Sequence, residues 1–142
     1  MKLSILDRVN RLRSEQKKNL KRKAIFILKT LDVSRNKELC VAFVDDEEMR
    51  KLNADYRNIN RTTDVLSFPQ DGPDDSMLGD VIISIDTAIR RSKLQKLNIE
   101  DEIHKLMIHG ILHLLGYDHK KKNEARVMRK KELEILSSIE SL

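Results

Sequence analysis

A single cysteine is all that this 142-residue chain contains. Cys40 therefore cannot form an internal disulfide. It lies in the apolar run ELCVAFV and reads as a small buried hydrophobe, in a protein of the reducing cytoplasm. Long hydrophobic stretches are also lacking. The longest is interrupted by His109, Gly110 and His113, so no membrane span and no membrane partner is expected. The opening residues MKLSILDRVNRLRS offer neither an apolar core nor a small-residue cleavage site, which excludes a signal peptide. Tryptophan is absent, with only two tyrosines and three phenylalanines, too few for a broad aromatic stacking platform. With no repeat, linker or low-complexity tract either, the length fits one domain over residues 1–142.

What the chain does have is positive charge, unevenly placed. The formal net charge is +5. Residues 8–23 carry eight basic side chains and one acid, Glu15. Lys120, Lys121 and Lys122 form a second cluster, and Arg126, Arg129, Lys130 and Lys131 a third. Such runs are commonly solvated helix faces, but a basic cluster beside a candidate site points to a polyanionic partner such as RNA.

Hydrophobic periodicity predicts the order β-α-β-α-β-β-α-α-α, an α+β domain with a small mixed sheet covered by helices. Strands are expected at residues 3–9, 38–44, 65–68 and 78–86, the last around the apolar run 81–85. Ser14 is the expected cap of a helix over 15–31, Asp45 or Asp46 of a short helix directing Met49 and Leu52 inward, and Asp86 of a helix to about 97. Residues 53–63 read as a polar loop, and the Pro-Gly-Asp-rich stretch after Pro69 as a surface turn. The helix over 100–115 is apolar nearly all round, so it should be a central buried helix. A final helix is expected over 123–138.

That central helix ends in HGILHLLGYDH, residues 109–119. His109 and His113 are four apart and share a helix face, one turn from each other. Gly116 suits the left-handed conformation that ends a helix, and the turn would bring His119 back as a third ligand. Three imidazoles so spaced form a metal site, and neutral imidazole suits Zn²⁺. One zinc ion is therefore the expected cofactor. A closed structural site would need a fourth ligand, for which Asp118 is a candidate. A carboxylate beside a ligand more often orients an imidazole, so an open site is favoured. His104, five residues before His109, lies elsewhere on the helix circle and is assigned no function.

Zinc peptidases share the H-x-x-x-H-x-x-G-x-x-H spacing, but there a glutamate follows the first histidine as the general base. Here that position is Gly110. The metal ligands remain while the base is missing. Asp118, Asp64 and a metal hydroxide are the candidates for it. Where RNA is the substrate, its own 2′-OH is an expected nucleophile.

HGILHLLGYDH, with YRNINRTTDVLSFP at 56–69 and GDVIIS at 79–84, resembles the YbeY family of metal-dependent endoribonucleases. The motifs cover most of the chain from about residue 38. The resemblance implies a zinc-dependent endoribonuclease acting on single-stranded RNA, maturing the 3′ end of small-subunit rRNA and serving ribosome quality control. The small ribosomal subunit or its assembly factors are then partners. It implies that His109, His113 and His119 are metal ligands, that Arg57 is functional in the cleft, and that Thr63, Asp64, Ser67 and Phe68 border it. Where the family carries a Lys-Asp pair shortly after the arginine, this chain has Ile59 and Asn60. Two other readings remain: a metallohydrolase of another ester or amide, against which Gly110 argues, and a non-catalytic rRNA-binding assembly factor.

Overall fold

The computed structural model describes residues 2–70 and 76–142. The turn expected after Pro69 falls largely on residues 71–75 and lies outside them. Four strands form one sheet: β1 (Lys2–Asp7), β2 (Glu38–Val44), β3 (Val65–Pro69) and β4 (Met77–Ser84). Their order is β1-β2-β4-β3. β1, β2 and β4 run parallel, and β3 returns antiparallel to β4 along one edge. Among the described residues the helices are α1 (Ser14–Thr30), α2 (Asp46–Arg57), α3 (Ile85–Leu94), α4 (Ile99–Leu114) and α5 (Lys122–Glu140). This is the expected single α+β domain, in the expected element order.

Strand alternation sorts the core. Leu39, Val41 and Phe43 of β2, with Val81 and Ile83 of β4, face the main cluster with α1, α4 and α5. Val44 and Leu66 point to the other side, where Met49 of α2 joins them and Leu52, Phe68 and Ile82 pack around. Cys40 is on this second side and is only half-buried, next to Asp80 on β4. Burial first, and then the Asp80 charge, push its thiol pKa up, so it is an unreactive thiol.

Helix α4 is the centre of the fold. Ile103, Met107, Ile108, Ile111 and Leu112 are each 2% exposed or less, and burying each such side chain stabilises by roughly 1.5–3 kcal/mol. His104 is on the buried side as well, 3% exposed, with its Nε2 3.2 Å from Lys23 Nζ on α1. It is a core histidine, away from the HGILHLLGYDH face.

Several element ends differ from expectation, each for a local reason. α1 is capped at Arg13 rather than Ser14; the Gln16 side-chain oxygen accepts from the Arg13 amide at 2.9 Å. α3 is capped by Ser84, whose hydroxyl accepts from Thr87 N, because Asp86 is engaged elsewhere. Its carboxylate accepts from Asp46 N and pairs with Arg11. β4 ends at Ser84 rather than Asp86, because α3 begins at Ile85. The polar segment after Asn53 is helical up to Arg57 rather than a loop. Asn53 is buried and its amide donates to Arg61 O at 2.8 Å, bracing the turn that follows.

Candidate metal centre

The end of α4 builds the site. Gly116 adopts φ +96°, its amide bonds to His113 O and the Tyr117 amide to Leu112 O, both at 3.0 Å. This pairing of bonds closes a helix and reverses the chain. Asp118 Oδ1 accepts from the His119 amide at 2.7 Å and sets the next turn. That hydrogen bond is the main reason the Asp118 carboxyl lies below its usual range.

The reversal brings the three imidazoles together. One ligand atom from each of His109, His113 and His119 lies within 4.8 Å of the others. His109 Nε2 and His113 Nε2 are 3.2 Å apart. His109 and His113 are half-buried and His119 is exposed, so the cluster is reached from one side. Burial first, and then the neighbouring imidazoles, lower the His113 pKa, which favours the neutral form that ligates metal. The donor set can hold one metal ion. On a tetrahedral ion, three nitrogens would leave one position free, as in open zinc sites, and Cys40 is on the far side of the sheet.

A cleft of about 730 Å³ opens over the histidines. Arg57, Thr63, Asp64, Ser67, Asp118 and Lys120 line it with them. The structure thus brings together all but one of the residues singled out in the sequence. Phe68 is not among the lining residues. Its ring lies against Tyr56, centroids 4.6 Å apart, with the smaller apolar cluster on the other side of the sheet. Strand alternation is the reason: Ser67 faces α4 and Phe68 faces away.

The cleft residues differ in how they are held. Arg57 is exposed in the last turn of α2, and its guanidinium makes no ion pair or hydrogen bond among the described residues. Asp64 is tied down: its carboxylate pairs with Arg91 and accepts from Val65 N at 2.7 Å and from Thr63 Oγ1 at 3.3 Å. Ser67 donates to Gly110 O at 2.8 Å. Asn60 accepts from Arg50, which braces the loop after α2.

One contact was not foreseen. Glu132 Oε1 on α5 lies 2.8 Å from His109 Nδ1. The sequence held a weak signal for it. Glu132 falls four residues after Met128 and three before Ile135, on the buried face of an amphipathic helix where a carboxylate is out of place.

Gly110 backs onto the sheet. A Cβ there would stand 2.5 Å from Val81 Cγ1 and 3.2 Å from Ser67 Oγ. No side chain fits at the position where zinc peptidases carry their glutamate.

Known proteins place this geometry. A family model described as Endoribonuclease YbeY matches residues 5–140, reaching further towards the N-terminus than the motifs alone. An endoribonuclease YbeY of Clostridium botulinum (strain Alaska E43 / Type E3) is 39% identical over 138 residues, covering 81% of this chain and 82% of that protein. One from Acholeplasma laidlawii is 45% identical over 117 residues, covering 78% and 82%. The solution structure of a Thermotoga maritima protein matches with a TM-score of 0.70 at 28% identity, over 96% of this chain and 88% of that one. No helix here is long and apolar enough to cross a membrane among the described residues. With the fold, the histidine cluster and the relatives in agreement, the chain belongs to the endoribonuclease YbeY family.

Proposed function

We propose that this protein cleaves single-stranded RNA with one zinc ion held by His109, His113 and His119, and that it matures the 3′ end of small-subunit rRNA. The observation that carries this reading is the histidine cluster at the floor of a cleft that is also lined by the exposed Arg57. Family membership supplies the reaction class. Ribosome quality control and contact with the small subunit or its assembly factors belong to the same reading, as does a cytoplasmic location, which suits a chain with one cysteine.

A zinc ion supplies Lewis acidity towards a phosphoryl oxygen and offsets charge that builds there. Arg57 grips the non-bridging oxygens through its planar fork, which a lysine would not reproduce. Lys120, exposed beside His119, adds attraction for the backbone. Thr63 and Ser67 give the cleft wall hydroxyl groups. Asp64 has its carboxylate committed to Arg91, Val65 and Thr63, so it holds the wall in shape. Asp118 is ionised at neutral pH and faces the cleft, which makes it the better placed proton acceptor of the two. We propose the RNA 2′-OH as the nucleophile, because the position after His109 is Gly110, packed against Val81, and supplies no carboxylate to activate a water.

Two experiments test this. Metal analysis of the full chain and of His109→Ala, His113→Ala and His119→Ala should show one zinc per chain lost in each variant, with cleavage of a single-stranded oligonucleotide lost in parallel. A His113→Ala protein that loses metal yet processes rRNA normally would instead establish a non-catalytic assembly factor. Mapping the cleaved ends should give a 2′,3′-cyclic phosphate and a 5′-hydroxyl. A 3′-hydroxyl with a 5′-phosphate would eliminate attack by the 2′-OH.

A further inference from the structure

Helix α5 docks through Met128, Ile135 and Ile139, each 2% exposed or less. Glu132 lies between the first two on the same side, so the packing that seats the helix also delivers its carboxylate to α4. There Oε1 meets His109 Nδ1 at 2.8 Å. The opposite ring nitrogen, Nε2, points at His113 Nε2. With a carboxylate oxygen as the acceptor at Nδ1, the tautomer that fits carries its proton on Nδ1 and its lone pair on Nε2, aimed at the centre of the cluster. Among the described residues neither His113 nor His119 has a side-chain partner of this kind.

We infer that Glu132 is a positioning residue of the metal centre. It fixes the tautomer and ring plane of His109, strengthens Nε2 as a donor, and contributes a negative charge behind a site that gathers two positive ones. The inference rests on the metal-binding reading above and adds to it a residue from a different helix. Its consequence is that seating of α5 and affinity for the ion are coupled. A plain ion pair between two helices, with each side chain about one third exposed, would act differently. It would shift the stability of the metal-free fold slightly and leave the affinity for the ion alone.

The test uses the full chain, stripped with a chelator and titrated with Zn²⁺ against a chromogenic competitor, beside thermal melting of the metal-free proteins. Glu132→Gln keeps the shape and an acceptor oxygen but loses the charge. It should bind zinc about tenfold more weakly, and Glu132→Ala up to about 100-fold more weakly, the range seen when partners of metal-bound histidines are removed. Metal-free melting should barely move in Glu132→Gln. Affinities of both variants within twofold of wild type, with wild type binding zinc, would overturn this inference alone. So would a loss of affinity that appears only together with a collapse of the metal-free melting transition in both variants. A wild-type chain that takes up no zinc would overturn the metal reading, and this inference with it.

Discussion

Ser67 on the edge strand and Gly110 on the central helix are joined by one hydrogen bond, the hydroxyl donating to the carbonyl at 2.8 Å. Gly110 directly follows His109, the first histidine of the cluster. The sheet is thereby fastened to the helix at the point where the helix begins to carry the site.

This attachment makes Gly110 sensitive. Gly110→Ala gains helix propensity worth roughly 1 kcal/mol, but its methyl would press on Val81 at 2.5 Å, and overpacking of that kind costs about 1–3 kcal/mol. We expect net destabilisation together with weaker zinc binding. Urea melts and a zinc titration of the variant check both. Gly110→Glu, which restores the peptidase spacing, should yield no peptide cleavage and little folded protein. A folded, peptide-cleaving variant would disprove the steric account.

Asp46 ties α2 to α3 and to the loop before β3. Partial burial alone would raise its pKa, but hydrogen bonds from Arg90, Ser84, Thr87 and Thr62 outweigh this and hold it down to about 2. A folded pKa below the unfolded value of 3.8 means that the stabilisation is complete above about pH 4 and is lost as pH falls towards 2. Asp46→Asn should cost about 1–3 kcal/mol at pH 7 and lose most of that difference below pH 2. Chemical denaturation at pH 7 and at pH 2–4 provides the readout; an equal cost at every pH would contradict it.

His104 predicts a separate acid window. Burial first, and then Lys23, lower its pKa from 6.5 to about 4, against smaller raising effects of Asp101 and Glu100. The fold thus prefers the neutral ring. Its stabilisation is whole above about pH 6.5 and declines as pH drops towards 4, at up to ~1.4 kcal/mol per pH unit. His104→Gln, which keeps an acceptor for Lys23, should flatten the stability profile between pH 6.5 and 4. An unchanged slope in that window would reject the assignment.

The histidine cluster was legible in the sequence because its geometry is local. An i, i+4 pair followed by a glycine turn needs no knowledge of the rest of the chain. The strands were legible because parallel pairing buries both faces of β2, leaving a continuous apolar run. Asn53 to Arg57 were not, since the outer half of α2 is solvated and its one buried polar residue mimics a loop. Ser84 and Asp86 are equally good caps by type, and only the tertiary claim of Asp46 and Arg11 on Asp86 decides between them. Phe68 was assigned to the cleft from its motif, while strand alternation turns it away. Glu132 depends on how α5 docks, and spacing along the chain does not encode that.

Binding of RNA should fall steeply with salt, because phosphates neutralised by basic side chains release counterions. Lys120 lines the cleft, and Lys121 and Lys122 are exposed beside it. Lys120→Gln should weaken binding to any single-stranded sequence alike and reduce the log–log salt slope by about 1. A catalytically silent single-stranded oligonucleotide titrated at several salt concentrations measures this. Affinity that is indifferent to salt would rule out backbone recognition.

Val81 is fully buried, and its methyl groups form the anvil on which Gly110 rests. How closely the central helix approaches the sheet at this point is thus limited by a valine. We expect Val81→Ala to relieve the clash that Gly110→Ala creates, so the double variant should lose less stability than the two single losses added together; urea melts that show plain additivity would refute this. Room for a side chain on this helix is a property of the floor beneath it as much as of the helix itself.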